Sequence, residues 1–293
     1  MESLSLLPQF LANGVVNGAS YVLVAVGLTL VFGILNVVNF AHGEFFMLGG
    51  YAAVTASAVL GWPLVPTLIV TVVALAVFGA LAERVVFRPL GRRDPSNAII
   101  ASFGLSVMLQ NAALLVFGPQ PKSLKTDLAA VPVHLGPVFL TGQRVLIVGV
   151  TIAVVTVLFL VLRFTWTGRA LRAMAQHPTV AQITGVNVRK VAVITFAIAA
   201  AMAGVAGALM SSVFLVQPTT GAMLVMKAFT VVILGGMGSV AGAVLAGVGL
   251  GVIEALVSGY LGNALRDMIG FILVILMLLT RPQGLLGRST ERS

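Results

Sequence analysis

"GLTLVFGILNVVNFAHGEFFMLGG", residues 27–50, begins as an apolar helix, admits Asn36, Asn39, His42 and Glu44, and then turns apolar again. A charge at the centre of a membrane helix costs about 2.5–3.5 kcal/mol on insertion scales, while each Leu, Ile, Phe or Val returns only about 0.3–0.6 kcal/mol. The apolar residues that follow Glu44 therefore only about offset it, and Glu44 should not face lipid at mid-depth. Yet Phe45 to Gly61 is 17 residues, about 25 Å of helix, so Glu44 cannot stand far outside the hydrocarbon either. A broken helix whose polar elbow faces protein or a water-filled cavity satisfies both limits. The elbow then lines a polar translocation path, or it is an interfacial turn in which Asn36 or Asn39 caps the next helix and Glu44 sits at its positive end. The two readings overlap.

The rest of the chain agrees with a membrane setting. Of its 293 residues, 59% are hydrophobic and 9% charged, with a mean hydropathy of +1.11, far from the roughly 25% charge of a soluble domain. Apolar runs cover about 10–39, 44–60, 64–82, 98–117, 145–162, 191–216, 228–257 and 268–280. They lack the period of two that barrel strands require, so the expected fold is all-α: a polytopic bundle of about eight or nine membrane segments, some broken or re-entrant. Residues 1–293 read as a single transmembrane domain, because no linker is long enough to separate soluble domains. The N-terminal "MESLSLLPQF" lacks a basic region and leads into an apolar stretch too long for a signal peptide, so it is expected to stay attached. The chain has no cysteine, which removes disulfides, thiolate catalysis and cysteine metal sites.

The net charge of +9 reads as topology and not as a nucleic-acid surface. Loop 83–97 holds Arg84, Arg88, Arg92 and Arg93; loop 163–190 holds Arg163, Arg169, Arg172, Arg189 and Lys190; the tail holds Arg281, Arg288 and Arg292. Lys122, Lys125, Arg144, Lys227 and Arg266 fall between the alternate runs. The richer set is expected to face the cytoplasm, the C-terminus with it. No Lys or Arg precedes Arg84, so the N-terminus is unconstrained. A tail on that side requires the 228–257 run to turn back on itself, and "LGGMGSVAG" (234–242) is where it should: Gly235, Gly236 and Gly238 weaken a helix. Two short spans or a re-entrant pair are expected there, its glycines facing the path with the elbow.

Other features divide into packing and function. Small-xxx-small spacings at Gly14/Gly18, Gly238/Gly242 and Gly247/Gly251 permit close helix approach; the sharper alternative is a surface for another subunit. "GMGSVA" (236–241) has no strand or βαβ setting for a dinucleotide, and no G-x-x-x-x-G-K-[ST] exists to bind ATP. No cofactor is expected on this chain. His42 and Glu44 do not complete a metal shell. Glu254 is either an outer-end residue or a second polar group on the path. In "TGRALRAMAQHPTVAQITGVNVRKV" (167–191), Arg169 to Gln176 can form a short helix, Pro178 can open another and Gly185 can stop it. Leu171, Met174 and Ala175 share its apolar face, which suits either a cytoplasmic partner or the membrane surface.

Taken together, "GLTLVFGILNVVNFAHGEFFMLGGY", "GRALRAMAQHPTVAQITGVNV", "TVVILGGMGSVAGAVLAG" and "RPQGLLG" resemble, in that order, the signature stretches of the LivH-type permease subunits of branched-chain amino acid ABC importers, over about residues 14–287. The resemblance implies a bacterial inner-membrane subunit that pairs with a homologous permease, two cytoplasmic ATPases carrying the ATP, and an extracytoplasmic substrate-binding protein. It also implies that, within the cytoplasmic segment 167–190, Gly168 to Val188 is the stretch resting on an ATPase, with Arg169, Arg172 and Gly185 at matching places, and that Asn36, Asn39, His42, Gly43 and Glu44 form the family's membrane-embedded polar stretch. Urea and short-chain amide importers share similar motifs. A rival of another class is a proton-coupled carrier using His42 and Glu44 as a relay. An intramembrane enzyme is poorly supplied, since His134 and His177, the remaining histidines, fall in loops.

Overall fold

A computed structural model describes residues 6–90, 95–126, 128 and 130–287. The helices in order are α1 (Leu7–Leu35), α2 (His42–Leu60), α3 (Leu64–Leu90), α4 (Pro95–Phe117), α5 (Gly142–Phe164), α6 (Trp166–Gln176), α7 (Pro178–Ile183), α8 (Val188–Met210), α9 (Thr220–Gly235), α10 (Val240–Tyr260) and α11 (Asn263–Thr280). Among the described residues, eight helices are long and apolar enough to cross a membrane, and α9, at 16 residues, is a shorter apolar one. The fold is the helical membrane bundle the hydropathy predicts. One feature that hydropathy does not announce is an antiparallel hairpin, β1 (Pro132–Leu135) and β2 (Val138–Thr141), turning at Gly136 with φ +62°. Four residues per strand leave too little alternation to read.

Helix α1 is the axis of the bundle, buried nearly all round from Ser20 to Val31. Its closest neighbour is α10, because the glycines of both helices meet: a Cβ on Gly18 would stand 2.8 Å from Val248 Cα, and one on Gly251 would overlap the Gly18 backbone nitrogen. Small residues let the backbones approach this far. Thus Gly14/Gly18 and Gly247/Gly251 pack against each other within one chain. Helix α8 lies against α2 and α3 in the same manner, with Gly49 against Gly204 and Gly79 against Ala200. Helices α5 and α11 are peripheral and mostly exposed.

The two ends of the bundle can be told apart by contacts. Gln9 exchanges hydrogen bonds with the Phe139 backbone (2.9 and 2.8 Å), and Arg144 Nη1 donates to Asn13 Oδ1 (2.6 Å), so α1 begins at the hairpin end. It finishes at the opposite end, where Gly33 touches Gly238. The tail returns there too, Leu285 N and Leu286 N donating to the carbonyls of Leu234 and Gly235 (2.9 and 3.0 Å). The described chain thus starts at one end of the bundle and finishes at the other.

Three expectations need correction. The 228–257 run does break at 236–239, with φ of +99° at Gly236 and +83° at Gly238, but α9 starts earlier, at Thr220, and α10 is a full-length span of 21 residues. Arg84 and Arg88 ride on α3, which continues through a π-turn, Glu83–Phe87, to 27 residues, about 40 Å of rise, and so carries them past the hydrocarbon; Arg92 and Arg93, like Arg288 and Arg292, lie outside the described residues. Lys227 and Arg266 are not in loops: they sit within α9 and α11, where carboxylates neutralise them.

Candidate functional site

Asn36 ends α1 in the left-handed conformation (φ 52°) and is exposed. Residues 37–41 then run back into the bundle without helical bonds, a stretch of backbone that hydrocarbon would not tolerate. Two side chains satisfy it. Ser102 of α4 receives the Phe40 N–H (3.1 Å), its own proton lying between Ile99 O (2.8 Å) and Val38 O (3.4 Å), and Asn39 Oδ1 accepts from Ala41 N (3.0 Å). The climb ends at His42, whose Nε2 donates to Val24 O (3.1 Å). Val24 is 11 residues before the end of α1, about 16 Å of rise, so α2 starts near mid-depth.

Glu44, in the first turn of α2, is fully enclosed. Its Oε1 accepts from Ser106 Oγ (2.9 Å) and Gln110 Nε2 (2.8 Å), both from the middle of α4. Helix α9 also begins here. A Cβ on Gly43 would overlap the Gly221 carbonyl oxygen, and one on Gly221 would overlap Glu44 Oε2. Two interrupted helices therefore start side by side against one carboxylate, α2 leaving toward the hairpin face and α9 toward the other. Their positive ends compensate the charge that lipid would not. Glu44 Oε2 has no hydrogen-bond partner among the described residues.

The structure thus brings Asn39, His42, Gly43 and Glu44 together inside the subunit and leaves Asn36 on its surface. Gly235 and Gly236 lie elsewhere, at the far end of α9, covered by the returning tail: a Cβ on Gly236 would be 2.5 Å from Gly287 N. Gly238 is exposed beside Met237, and Gly242 packs on Gly235. Ser102, Ser106 and Gln110 are site residues that the sequence reading does not single out. Their signal is a polar stripe at i, i+4, i+8 along a membrane-spanning helix.

The 167–190 segment folds as α6 and α7, with Thr165 capping α6 at Gly168 N (3.0 Å) and Gly185 at φ +87° after α7. Gly168, Leu171 and Met174 turn inward onto the bundle, and a Cβ on Gly168 would overlap the Leu162 carbonyl oxygen. Arg169, Arg172 and Gly185 are exposed, as is Ala175. With them stand Val180 (56% exposed) and Ile183 (81%), two apolar residues whose exposure only the fold reveals.

Glu254 finds its partners through the fold. Fully buried on α10, it accepts from Lys227 (2.5 Å), Arg266 Nε (3.1 Å) and Tyr21 Oη (2.8 Å), while Lys227 also reaches Asp267 (2.9 Å). Two carboxylates and two cations close a neutral cluster joining α1, α9, α10 and α11. No group of three His, Cys, Asp or Glu side chains able to hold a metal gathers among the described residues.

A family model described as "Branched-chain amino acid transport system / permease component" matches residues 10–280. The chain is 38% identical to the high-affinity branched-chain amino acid transport system permease protein LivH of Escherichia coli (strain K12), over 96% of this chain and 95% of that one. It is 36% identical to the permease protein BraD of Pseudomonas aeruginosa, with the same coverage. Among solved structures, a chain of PsaBC from Streptococcus pneumoniae in complex with Fab superposes with a TM-score of 0.54 over 96% of both chains at 14% identity, a likeness of fold. The bundle, its interrupted helices and these matches together place the chain in the family of branched-chain amino acid transport permease components.

Proposed function

We propose that the chain is the membrane-spanning subunit of an ATP-driven importer and forms, with a homologous permease, the path for branched-chain amino acids delivered by an extracytoplasmic binding protein. The observation that carries this reading is the meeting of α2 and α9 at Glu44 near mid-depth. A pair of interrupted helices at the centre of a bundle is where transporters of this build place their pathway. In the present conformation Asn39, His42, Gly43 and Glu44 shape the wall from behind and Asn36 meets its surface; switching access between sides moves the two half-helices together. Gly235, Gly236 and Gly238 anchor the far end of α9.

Two cytoplasmic ATPases rest on the exposed side of α6 and α7, at Arg169, Arg172, Gly185, Val180 and Ile183, while Gly168, Leu171 and Met174 fasten that segment to the bundle. ATP belongs to those partners. The basic face lies toward the cytoplasm of a bacterial inner membrane, with the C-terminus, and the hairpin face meets the binding protein. A proton relay is less well supported, because His42 bonds to Val24 and Glu44 to Ser106 and Gln110, with no hydrogen bond joining the two. The deciding experiment is reconstitution of the chain with co-purified partners in liposomes. ATP-dependent leucine uptake that needs all of them is expected; accumulation by this chain alone under a pH gradient overturns the reading.

A further inference from the structure

Where α3 ends and α8 begins, a cavity of about 470 Å³ opens on the basic face. Four cations from two helices line it: Arg84 and Arg88 from the π-turn end of α3, Arg189 and Lys190 from the first turn of α8. All four are exposed. Among the described residues no acid lines this cavity; Glu83 stands behind it, buried, with Arg88 Nη2 3.6 Å from its Oε2. One carboxylate therefore serves four positive charges. Arg189 and Lys190 are also set against their own helix, because the amino end of α8 is its positive end. Like charges gathered in this way repel, and an anion from outside the chain relieves the repulsion.

What lies beneath the cations says which anion. On α3, one turn back toward the membrane from Arg84, is Leu81 (53% exposed), and one turn further is Val77 (63%); their spacing of three and four residues puts them on the arginine's face. Helix α8 runs the other way and repeats the order: Val193 and Ile194 line the same cavity one turn inward of Arg189 and Lys190. A cation above an apolar side chain, on each of two helices, is the complement of a phosphate joined to an acyl chain. We infer that this cavity binds an anionic phospholipid. Its phosphate is held by Arg84, Arg88, Arg189 and Lys190, and an acyl chain descends past Val193 and Ile194 along Leu81 and Val77. Basic pockets between membrane helices suit anionic headgroups in this way. A soluble phosphate ester, or an acidic segment of a partner protein, would satisfy the cations and make no use of the apolar strip below them. The lipid braces the end of α3 against the start of α8, into which α7 leads. Binding here depends on neither the cargo nor the ATPases proposed above.

The test is native mass spectrometry of the full chain in detergent, titrated with three ligands. These are phosphatidylglycerol, phosphatidylcholine, whose choline cancels the phosphate charge, and glycerophosphoglycerol, which keeps the anionic headgroup and lacks the acyl chains. One phosphatidylglycerol is expected to be retained, and each of the other two to bind about tenfold more weakly or worse. Arg84→Gln and Lys190→Gln should each weaken phosphatidylglycerol about fivefold, the worth of one basic side chain near an anionic surface, and leave phosphatidylcholine unchanged. Arg281→Gln removes the same charge from an exposed position on the same face, outside the cavity, and should change nothing. The three ligands on the unaltered chain decide the matter even where a variant does not fold. Equal binding of the two phospholipids, or equal effects of Lys190→Gln and Arg281→Gln, overturns the site. Tight binding of glycerophosphoglycerol makes it a site for a soluble phosphate ester and removes the lipid. Unchanged phospholipid binding in Lys190→Gln, with loss of ATPase co-purification, gives the cations to a partner protein and likewise refutes it.

Discussion

Glu44 shows how a carboxylate is kept within an apolar bundle. Two side-chain donors, two helix starts and complete exclusion from lipid stand in for the water it has lost. Glu44→Leu strands Ser106 and Gln110, and is expected to cost about 1–3 kcal/mol as well as uptake, read as a lower unfolding temperature and a lower initial rate in liposomes. Unchanged transport would leave Glu44 a structural anchor. Its neighbour Gly43 answers to geometry alone. Gly43→Ala drives a methyl onto the Gly221 carbonyl and should cost roughly 1–3 kcal/mol as overpacking does, whereas Gly104→Ala on α4, with nothing within 4 Å, should be neutral or stabilising. Glycine content alone does not distinguish these two positions; the neighbour across the contact does.

Between helices, the cluster around Glu254 and the α6–α7 segment carry separate expectations. Glu254→Gln leaves Lys227 and Arg266 with Asp267 as their remaining carboxylate, and should cost about 3–5 kcal/mol, as when one member of a buried ion pair is removed. Thermal unfolding in detergent reads it, and replacing Glu254 and Lys227 together by Met should recover some of the loss. For α6, periodicity in the sequence found a real apolar face, Leu171 with Met174, but not what covers it: the chain's own bundle does. Leu171→Asp should therefore unfold or destabilise the subunit. Ile183→Asp, on the exposed side, should leave the fold intact and reduce ATPase co-purification. The opposite pattern would return the docking role to the Leu171 face.

Across the bundle, the described chain runs from Gln9 at the hairpin end to Leu285 at the opposite end, and the bias of Lys and Arg is the ground on which we propose that the latter faces the cytoplasm. The chain has no cysteine, so single substitutions report orientation cleanly. Phe139→Cys on the hairpin should react with an impermeant maleimide in spheroplasts, and Val180→Cys only after permeabilisation. Reversed labelling would overturn the proposed importer orientation.

Membrane class, the breaks at 36–41 and 236–239 and the basic face were legible in the residues alone, because hydropathy, helix weakening by glycine and charge bias are local sums along the chain. The start of α9 at Thr220, the partners of Glu44 and Glu254, and the side on which Leu171 is covered were not. Those depend on groups far apart in sequence: 62 residues separate Glu44 from Ser106, and 233 separate Tyr21 from Glu254. A buried charge must be neutralised by something, and its presence in the sequence announces that requirement, but only the packing of α1, α4, α9, α10 and α11 selects which residue meets it.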